Sequence, residues 1–457
     1  MGPDKFAQVR QEAADRGIEF IDLKSLDLVG RLHHLSLPLD RFTPDICHEG
    51  IGFDGSSYGF RKVENSDMVL IPDLETAQLD PFRERPTLHL FASAHLTDPA
   101  RTPFAQDGRH IARKAERALA RSGVADASQW GPEYEFYIFA EADFASDKTE
   151  SFYSVESRER FSYNAYHACN PFDLYADFRD QVCRLMQEFK IPVRYHHHEV
   201  GAHGQQEIEG WFTDLLTTGD QVVLAKYILH NAARRAGLRV TFMPKPLYEN
   251  AGNGFHLHQF LTKNGKNVFE DPSGYASLSP TALHYIGGIL THADALCAFT
   301  NPSTNSYKRL VPGFEAPTVR TFGCSNRGAA IRIPSYVSDP QLRRIEYRPP
   351  DLTANPYLCT AAILMAGLDG IRNKIDPIAC GWRPADLPGE HAQQETQYLP
   401  RNLDDALDAL ARDHAFLLHD DVFPESLIQR WLEVKRDEIG RINQRPHPYE
   451  FTLYFDL

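Results

Sequence analysis

The sequence predicts an α+β fold: a small β-rich N-terminal domain over residues 1–104, then a larger domain over residues 105–457 in which helices flank a largely antiparallel sheet. Three observations carry this. Short aromatic and β-branched runs alternate polar and apolar residues with period two. Longer runs place apolar residues at three- and four-residue steps. The two kinds succeed each other too irregularly for a doubly wound sheet, and no Gly-rich phosphate motif follows a strand.

A chain of 457 residues can bury a sizeable core. Its 42% hydrophobic and 24% charged content is ordinary for a soluble globular protein. The net charge of −14 argues against a general nucleic-acid binder, while leaving room for a local basic pocket. The 7 cysteines are scattered without a CxxC pair, and their number is odd, so thiols in a reducing cytoplasm are expected. No apolar run approaches ~18 residues, so no membrane span is expected, and the N-terminus lacks an apolar signal core.

In chain order, residues 1–16 read as a short polar helix. Residues 18–23 and 29–37 read as two strands around a turn near Asp27. Residues 48–60 read as a loop from their glycines, and Phe53, Tyr58 and Phe60 make it an ordered, functional one. A strand over 87–94 follows Pro86, and Pro99 to Pro103 marks the domain boundary. Asp107 caps a helix running to Ser122. Residues 131–139 form a strand, and 141–160 a polar, irregular surface excursion. Further helices are expected over 172–189, 215–236, 281–300, 356–374, 403–418 and 423–442. Short strands are expected at 193–200, 205–212, 238–243, 255–262, 329–334 and 343–348.

The strand at 131–139 carries the chemistry. Alternation puts Glu133 and Glu135 on one face with Tyr137 and Phe139, and Tyr134, Phe136 and Ile138 on the other. Two carboxylates on so apolar a strand repel each other and lose hydration, which a hard divalent cation relieves. Side chains at i and i+2 lie about 6–7 Å apart, a spacing that suits two metals better than one. A hairpin is expected around 201–204, with Glu199 and Glu207 facing each other across it. Consecutive residues of the His196-His197-His198 run point to opposite faces, so the three do not bind one metal. His256 and His258 share a face after Gly252 and Gly254, glycines that let backbone approach a ligand. Arg344, Glu346 and Arg348 share another, opposite Ile345 and Tyr347.

Polar groups at period two among apolar neighbours, on strand after strand, predict one cavity lined by carboxylates, histidines and arginines. Carboxylate-rich coordination favours Mg2+ or Mn2+ over zinc. Arginines beside such metals suit polyphosphate and carboxylate substrates, and together they point to phosphoryl transfer from a nucleotide.

These motifs resemble glutamine synthetase, in its bacterial type I form, along nearly the whole chain. The matching stretches are Phe53-Asp54-Gly55-Ser56-Ser57, Gly131-Pro132-Glu133-Tyr134-Glu135, His197-His198-Glu199-Val200 with Gln206-Glu207, and Phe242-Met243-Pro244-Lys245-Pro246. Asn301 to Pro317, Asn326-Arg327, Ile331-Arg332-Ile333-Pro334, Arg344-Ile345-Glu346-Tyr347-Arg348 and Pro446 to Phe451 match as well. The resemblance implies a β-grasp N-terminal domain, a curved antiparallel catalytic sheet, and a cytoplasmic dodecamer of two hexameric rings with active sites shared between subunits. It implies that Glu135, Glu199 and Glu207 hold one metal and Glu133, His256 and Glu346 a second. Arg309, Arg348 and the backbone at Gly252 would bind the amino-acid substrate. His258, Arg327, Arg332 and Arg344 would serve ATP and the phosphoryl transition state, with Phe212 near the adenine. Asp54 from the neighbouring subunit, supported by Ser57, would form the ammonium site with Tyr166 and Glu315, and Glu315 would close the site against water.

The implied reaction ligates ammonia to the γ-carboxylate of glutamate through an acyl phosphate. The alternatives are a γ-glutamyl ligase for an organic amine, against which the Asp-Gly-Ser-Ser loop argues, and a non-catalytic oligomeric homologue. Some positions depart from the family pattern: Ala251, Asn253 and Phe255 around the first histidine, Phe260 two past His258, and the Asn164-Ala165-Tyr166-His167-Ala168 setting of Tyr166. Ala385 stands where adenylylated forms carry the modified tyrosine, so no such regulation is expected.

Overall fold

The computed structural model describes residues 3–313, 316–382, 384 and 396–457. The N-terminal part forms a six-stranded sheet from β1 (Phe20–Leu26), β2 (Leu32–Pro38), β3 (Ile51–Asp54), β4 (Asp67–Pro72), β5 (Gln78–Leu79) and β6 (Thr87–His95). Its order is β2-β1-β6-β4-β3, with β5 on β6. β1 and β6 run parallel, and the other pairs run antiparallel. Alternate residues of these strands (Ile21, Leu23, Leu88, Leu90) bury against α1 (Pro3–Asp15), whose Val9 and Ala13 enter the same small core. Each such aliphatic side chain contributes ~1.5–3 kcal/mol.

β7 (Ala127–Phe139) is the axis of a nine-stranded sheet. A hairpin of β8 (Glu141–Ser146) and β9 (Ser151–Glu156) follows it. The sheet then takes β10 (Val193–His198), β11 (Gln205–Gly210), β12 (Arg239–Thr241), β13 (Leu257–Lys263), β14 (Lys266–Asn267), β15 (Val319–Cys324), β16 (Ala329–Ile333) and β17 (Ile345–Tyr347). The order is β10-β11-β7-β13-β17-β16-β15, with β12 on β7 and β14 on β13. Every pair is antiparallel except β15 with β16. Tyr134, Phe136 and Ile138 enter the large core from the back of β7, with the helices, as alternation predicts.

The helices are α2 (Ile46–Glu49), α3 (Gly108–Ser122), α4 (Ala176–Glu188), α5 (Leu215–Arg235), α6 (Pro280–Thr291), α7 (Ala293–Thr300), α8 (Ser306–Arg309), α9 (Pro356–Asn373), α10 (Leu403–Arg412), α11 (Ala415–Leu418), α12 (Glu425–Asn443) and α13 (Pro448–Tyr454). Asp107 caps α3 by accepting from His110 N–H (2.8 Å) and also ties β6 by accepting from Ala94 N–H (3.1 Å). Among the described residues, no helix is long and apolar enough to cross a membrane. All seven cysteines are unpaired.

Several expectations need correction. Residues 48–60 are not all loop: Ile51–Asp54 is an edge strand on β4, and only the stretch from Gly55 turns. The excursion at 141–160 is a regular hairpin, with Phe144 opposite Tyr153, which its polar composition hid. Gly131-Pro132 does not open its strand but lies inside β7. Pro132 falls between the β11 ladder, which ends at Glu133, and a bridge from Trp130 to Thr213, so its missing N–H loses no ladder bond. The single helix expected over 281–300 breaks at His292, and that over 403–418 breaks after Arg412. At the first break the imidazole sits between Asp369 and Asp413, carboxylates of two other segments.

Candidate active site

β7 brings the site together by its register. Glu135 lies opposite Glu207 of β11, and Glu133 opposite Glu209. On the other side of β7, Glu133 N–H donates to His256 O (2.9 Å) and Gly254 N–H donates to the Glu135 carboxylate (2.6 Å). The hairpin between β10 and β11 differs from expectation: the residue opposite Glu207 is His197, not Glu199. Glu199 lies just past the end of β10, its N–H donating to Gln205 O (3.0 Å). His197, Glu199 and Glu207 still gather, each with a ligand atom within 4.8 Å of the others.

The His triplet divides as alternation requires. His197 faces the site. His196 turns back to Asp180 (2.9 Å) and Arg179 (3.1 Å). His198, fully buried, lies 2.9 Å from Glu159 Oε2 behind the strand, and Glu159 also accepts from Leu174 N–H (2.7 Å). The backbone that carries Glu199 is thus anchored from the back of β10.

The second group joins β7, β13 and β17. His256 Nδ1 is 2.7 Å from one Glu133 oxygen and His258 Nε2 is 2.8 Å from the other. In this group the three residues whose ligand atoms come within 4.8 Å of one another are Glu133, His258 and Glu346, whereas the family resemblance implies His256. His256 Nδ1 is 3.8 Å from Glu346 and also 3.7 Å from Glu135. Glu346 is fully buried and pairs with Arg332 and Arg348.

The two groups differ in charge balance. Burial pushes the Glu207 carboxyl well above the usual carboxylate range, and the charges of Glu133, Glu199 and Glu135 push it the same way. Burial alone would raise Glu133 as well, but hydrogen bonds and charge from His256 and His258 pull it well below that range. Glu346 is held at about 2, since the charge of Arg348, followed by those of His258 and Arg332, outweighs its burial. The group around Glu207 therefore lacks guanidinium charge, and a carboxylate-rich cluster with one imidazole, His197, fits a hard divalent cation. The Glu133–Glu346 group also has the donors for a metal, but histidines and arginines already balance its charge.

A cavity of about 500 Å³ opens over both groups. Arg309 is buried beneath it, donating to the carbonyls of Pro349 (2.6 Å), Pro350 (3.2 Å) and Arg348 (3.1 Å). Gly252 and Gly254 let this guanidinium pass: a Cβ at Gly252 would meet Arg309 Cγ at 2.7 Å, and one at Gly254 would meet Arg309 Nη2 at 2.7 Å. Arg327, Arg332, Arg348 and Tyr166 line the same cavity. Tyr166 stacks on His167 and meets His197 edge-on.

Other expected site residues lie apart from the cavity wall. His258 and Arg344 sit behind it, with Arg344 Nε donating to His258 Nδ1 (3.2 Å). Arg344 also lies over the Phe212 ring (5.4 Å), which packs edge-on against Phe260 (5.0 Å). Asp54 and Ser57 are not brought to the cavity. Asp54 ends β3, the edge strand of the N-terminal sheet, and is exposed. Hydrogen bonds from Ser56 and Ser57 hold its carboxyl well below the usual carboxylate range. Ser56 makes more of these bonds than the expected Ser57. Glu315 and Ala385 lie outside the described residues.

Sequence reasoning missed Tyr195, His197, Gln205 and Tyr336, all of which line the cavity. Tyr195 and His197 were legible: they precede Glu199 at two-residue steps, and Gln205 precedes Glu207 in the same way. Tyr336 lies in an irregular segment after β16, under Arg332 and Arg344, and no periodicity marks it.

Comparison with known proteins bears on this geometry. The family model described as the catalytic domain of glutamine synthetase matches residues 105–454, and that described as its β-grasp domain matches residues 17–97. A curated glutamine synthetase of Mycolicibacterium smegmatis is 44% identical, covering 97% of each chain. One of Streptomyces coelicolor is 44% identical over 98% of each chain. A cryo-electron-microscopy structure of Plasmodium falciparum glutamine synthetase superposes with a TM-score of 0.89 at 28% identity, covering 98% of each chain.

Proposed function

The chain belongs to the glutamine synthetase family, and from that premise we propose how its residues carry out the family's reaction. The enzyme is a glutamate–ammonia ligase: it makes glutamine from glutamate and ammonia with ATP and uses divalent metal. The observation that carries the mechanism is the meeting, in one cavity, of a carboxylate cluster short of positive charge with a row of arginines.

Glu135, Glu199 and Glu207 hold one Mg2+ or Mn2+, with His197 beside them. Glu133, His256 and Glu346 hold the second, with His258 in reach of the same carboxylates. When bound, these ions neutralise phosphate charge and polarise the phosphoryl oxygens. Arg348 and Arg309, with the Gly252 backbone, orient the glutamate so that its γ-carboxylate meets the γ-phosphate of ATP. Arg327, Arg332 and Arg344, together with His258, bind the phosphates and stabilise charge developing on the transferred group. Phe212 lies against the adenine. The γ-carboxylate oxygen bonds to phosphorus as ADP leaves, giving an acyl phosphate. Ammonia attacks its carbonyl carbon, and phosphate leaves carrying one proton from the attacking nitrogen, which gives the amide.

Ammonium capture falls to Asp54 with Ser57, Tyr166 and Glu315. Hydrogen bonds from Ser56 and Ser57 keep the Asp54 carboxyl ionised, so it presents a negative charge to ammonium. The captured ammonium gives one proton to the Asp54 carboxylate, and the ammonia so formed is the nucleophile. Asp54 reaches a site only on another copy of the chain, because its own cavity lacks it. A second observation supports assembly: α13 and the residues after it expose Phe451, Phe455 and Leu457, at 57%, 75% and 97%. A homo-oligomer covers such a segment, and the dodecamer of two rings is its proposed form. The domain boundary is proposed at residue 104, between the two matched stretches. A cytoplasmic location is part of the same reading.

The test is direct. Purified protein with glutamate, ammonium, ATP and Mg2+ or Mn2+ is expected to release ADP and form glutamine. A panel of organic amines in place of ammonium is expected to turn over far more slowly. Equal or faster turnover with an amine would reassign the acceptor.

A further inference from the structure

A second cavity, of about 590 Å³, shares no lining residue with the first. It opens between the β1–β2 turn, the segment carrying Phe82 and Arg83, and one face of α5. Its size is that of a small-molecule pocket. The wall is preformed. Gly30 turns the chain at φ +92° so close to α9 that a Cβ there would meet Asn355 Cα at 2.9 Å, and the Asn355 amide donates to Leu28 O (3.3 Å).

The lining is strongly basic, in a chain of net charge −14. On α5, Lys226, His230 and Arg234 recur at four-residue steps and form one stripe. The one acid of α5, Asp220, is already taken by Arg109 and Tyr357. Arg31, His34 and Arg83 come from the other walls. Among the described lining residues, the carboxylate is Asp22, and it is engaged by Lys24, His34 and Ser36. Arg31, Arg83 and Arg234 form no ion pair within 4 Å among the described residues. The Lys226 ammonium is met by a neutral group, the Leu352 carbonyl (2.7 Å). Burial brings it down to about 8, against the opposing pull of Asp351.

We propose that this cavity binds a small organic polyanion bearing phosphate or carboxylate groups, held by Arg31, Arg83 and Arg234 together with Lys226. Planar guanidinium groups take both oxyanions in paired hydrogen bonds. The occupant neutralises cations that otherwise face one another across the cleft. It also links the N-terminal sheet, whose β3 edge carries Asp54, to a helix of the catalytic domain.

The test is calorimetric titration of full-length, metal-free protein with inorganic pyrophosphate and, separately, with citrate. It compares the natural chain with the double variant Arg31→Ser/Arg234→Ser. Both arginines are exposed and outside the first cavity, so the variant should fold with unchanged melting temperature and basal glutamine formation. At least one probe is expected to bind the natural chain and to lose tenfold or more in affinity in the variant. Response to pyrophosphate alone assigns phosphate chemistry, and response to citrate alone assigns polycarboxylate chemistry. Binding of neither probe, or equal binding to both proteins as for a probe lodged on the arginines of the first cavity, overturns the proposal. The readout is binding, so it stands or falls separately from the ligation reaction.

Discussion

At the residue scale, charge balance separates carboxylates that look alike in the sequence. Glu207 and Glu346 are both buried glutamates on strands facing one site. Glu346 has two guanidinium partners, and Glu207 has carboxylates for neighbours. Replacing Glu207 by Gln removes an acid whose ionised form burial and its neighbours oppose, so metal-free Glu207→Gln is expected to be more stable than the natural chain by on the order of 1 kcal/mol. Its stabilisation by Mn2+, measured by thermal unfolding, should fall sharply. Glu346→Gln should instead destabilise the metal-free protein by about 3–5 kcal/mol, because Arg332 and Arg348 are left buried and unpaired. Equal behaviour of the two variants would contradict this division. Glu133→Ala and Glu135→Ala are likewise expected to remove different metals in an Mn2+ titration. His256→Ala and His258→Ala, run alongside, show which imidazole belongs to the Glu133 metal. If both glutamate variants lose the same single site, the two-metal assignment along β7 is wrong.

At the scale of elements, strand alternation explains most of the site, and breaks explain what it misses. β10 sends His197 forward and His198 back to Glu159 because its neighbours point to opposite faces. The break at His292 shows how a polar side chain can override a helix-long apolar pattern. Its imidazole lies 3.1 Å from Asp369 of α9 and 2.8 Å from Asp413 after α10, and stacks on Phe416. Burial alone would lower the His292 pKa, but hydrogen bonds to the two carboxylates outweigh it and raise it above the usual value. A raised folded-state pKa gives stability that is full below the unfolded value of ~6.5 and fades as pH rises through the folded one. Chemical denaturation should therefore show the gap between the natural chain and His292→Gln to be largest near pH 6, at about 1–3 kcal/mol, and smaller at pH 9. A gap independent of pH would mean that the ring acts by packing alone.

At the scale of the whole molecule, the chain gathers carboxylates, histidines and arginines around one cavity but leaves Asp54 on the edge strand of the N-terminal sheet. The proposed sharing of sites between copies predicts complementation. Asp54→Ala and Arg327→Ala should each be nearly inactive as pure oligomers. Dissociated, mixed and reassembled, they should regain a substantial fraction of activity, because some interfaces then pair an intact Asp54 with an intact Arg327. No recovery, in mixtures shown by mass spectrometry to contain both chains, would place Asp54 and the arginines within one subunit.

The sequence by itself determined the fold class, the helix over 108–122 with its Asp107 cap, and the faces of β7, β13 and β17. These follow from local rules: a cap bonds within its own turn, and a period of two fixes which side chains share a face. It also carried the family resemblance, because the site motifs sit on contiguous strands. Tertiary structure alone decided which residues oppose one another. His197 rather than Glu199 faces Glu207, and His258 joins His256 on Glu133, because register is set between strands distant in sequence. It also decided that Glu207 lacks guanidinium charge while Glu346 has it, since burial and neighbouring charge arise only when separate segments meet. For the same reason the basic cavity beside α5 escapes a linear reading: its arginines come from positions 31, 83 and 234 and become neighbours only in the fold.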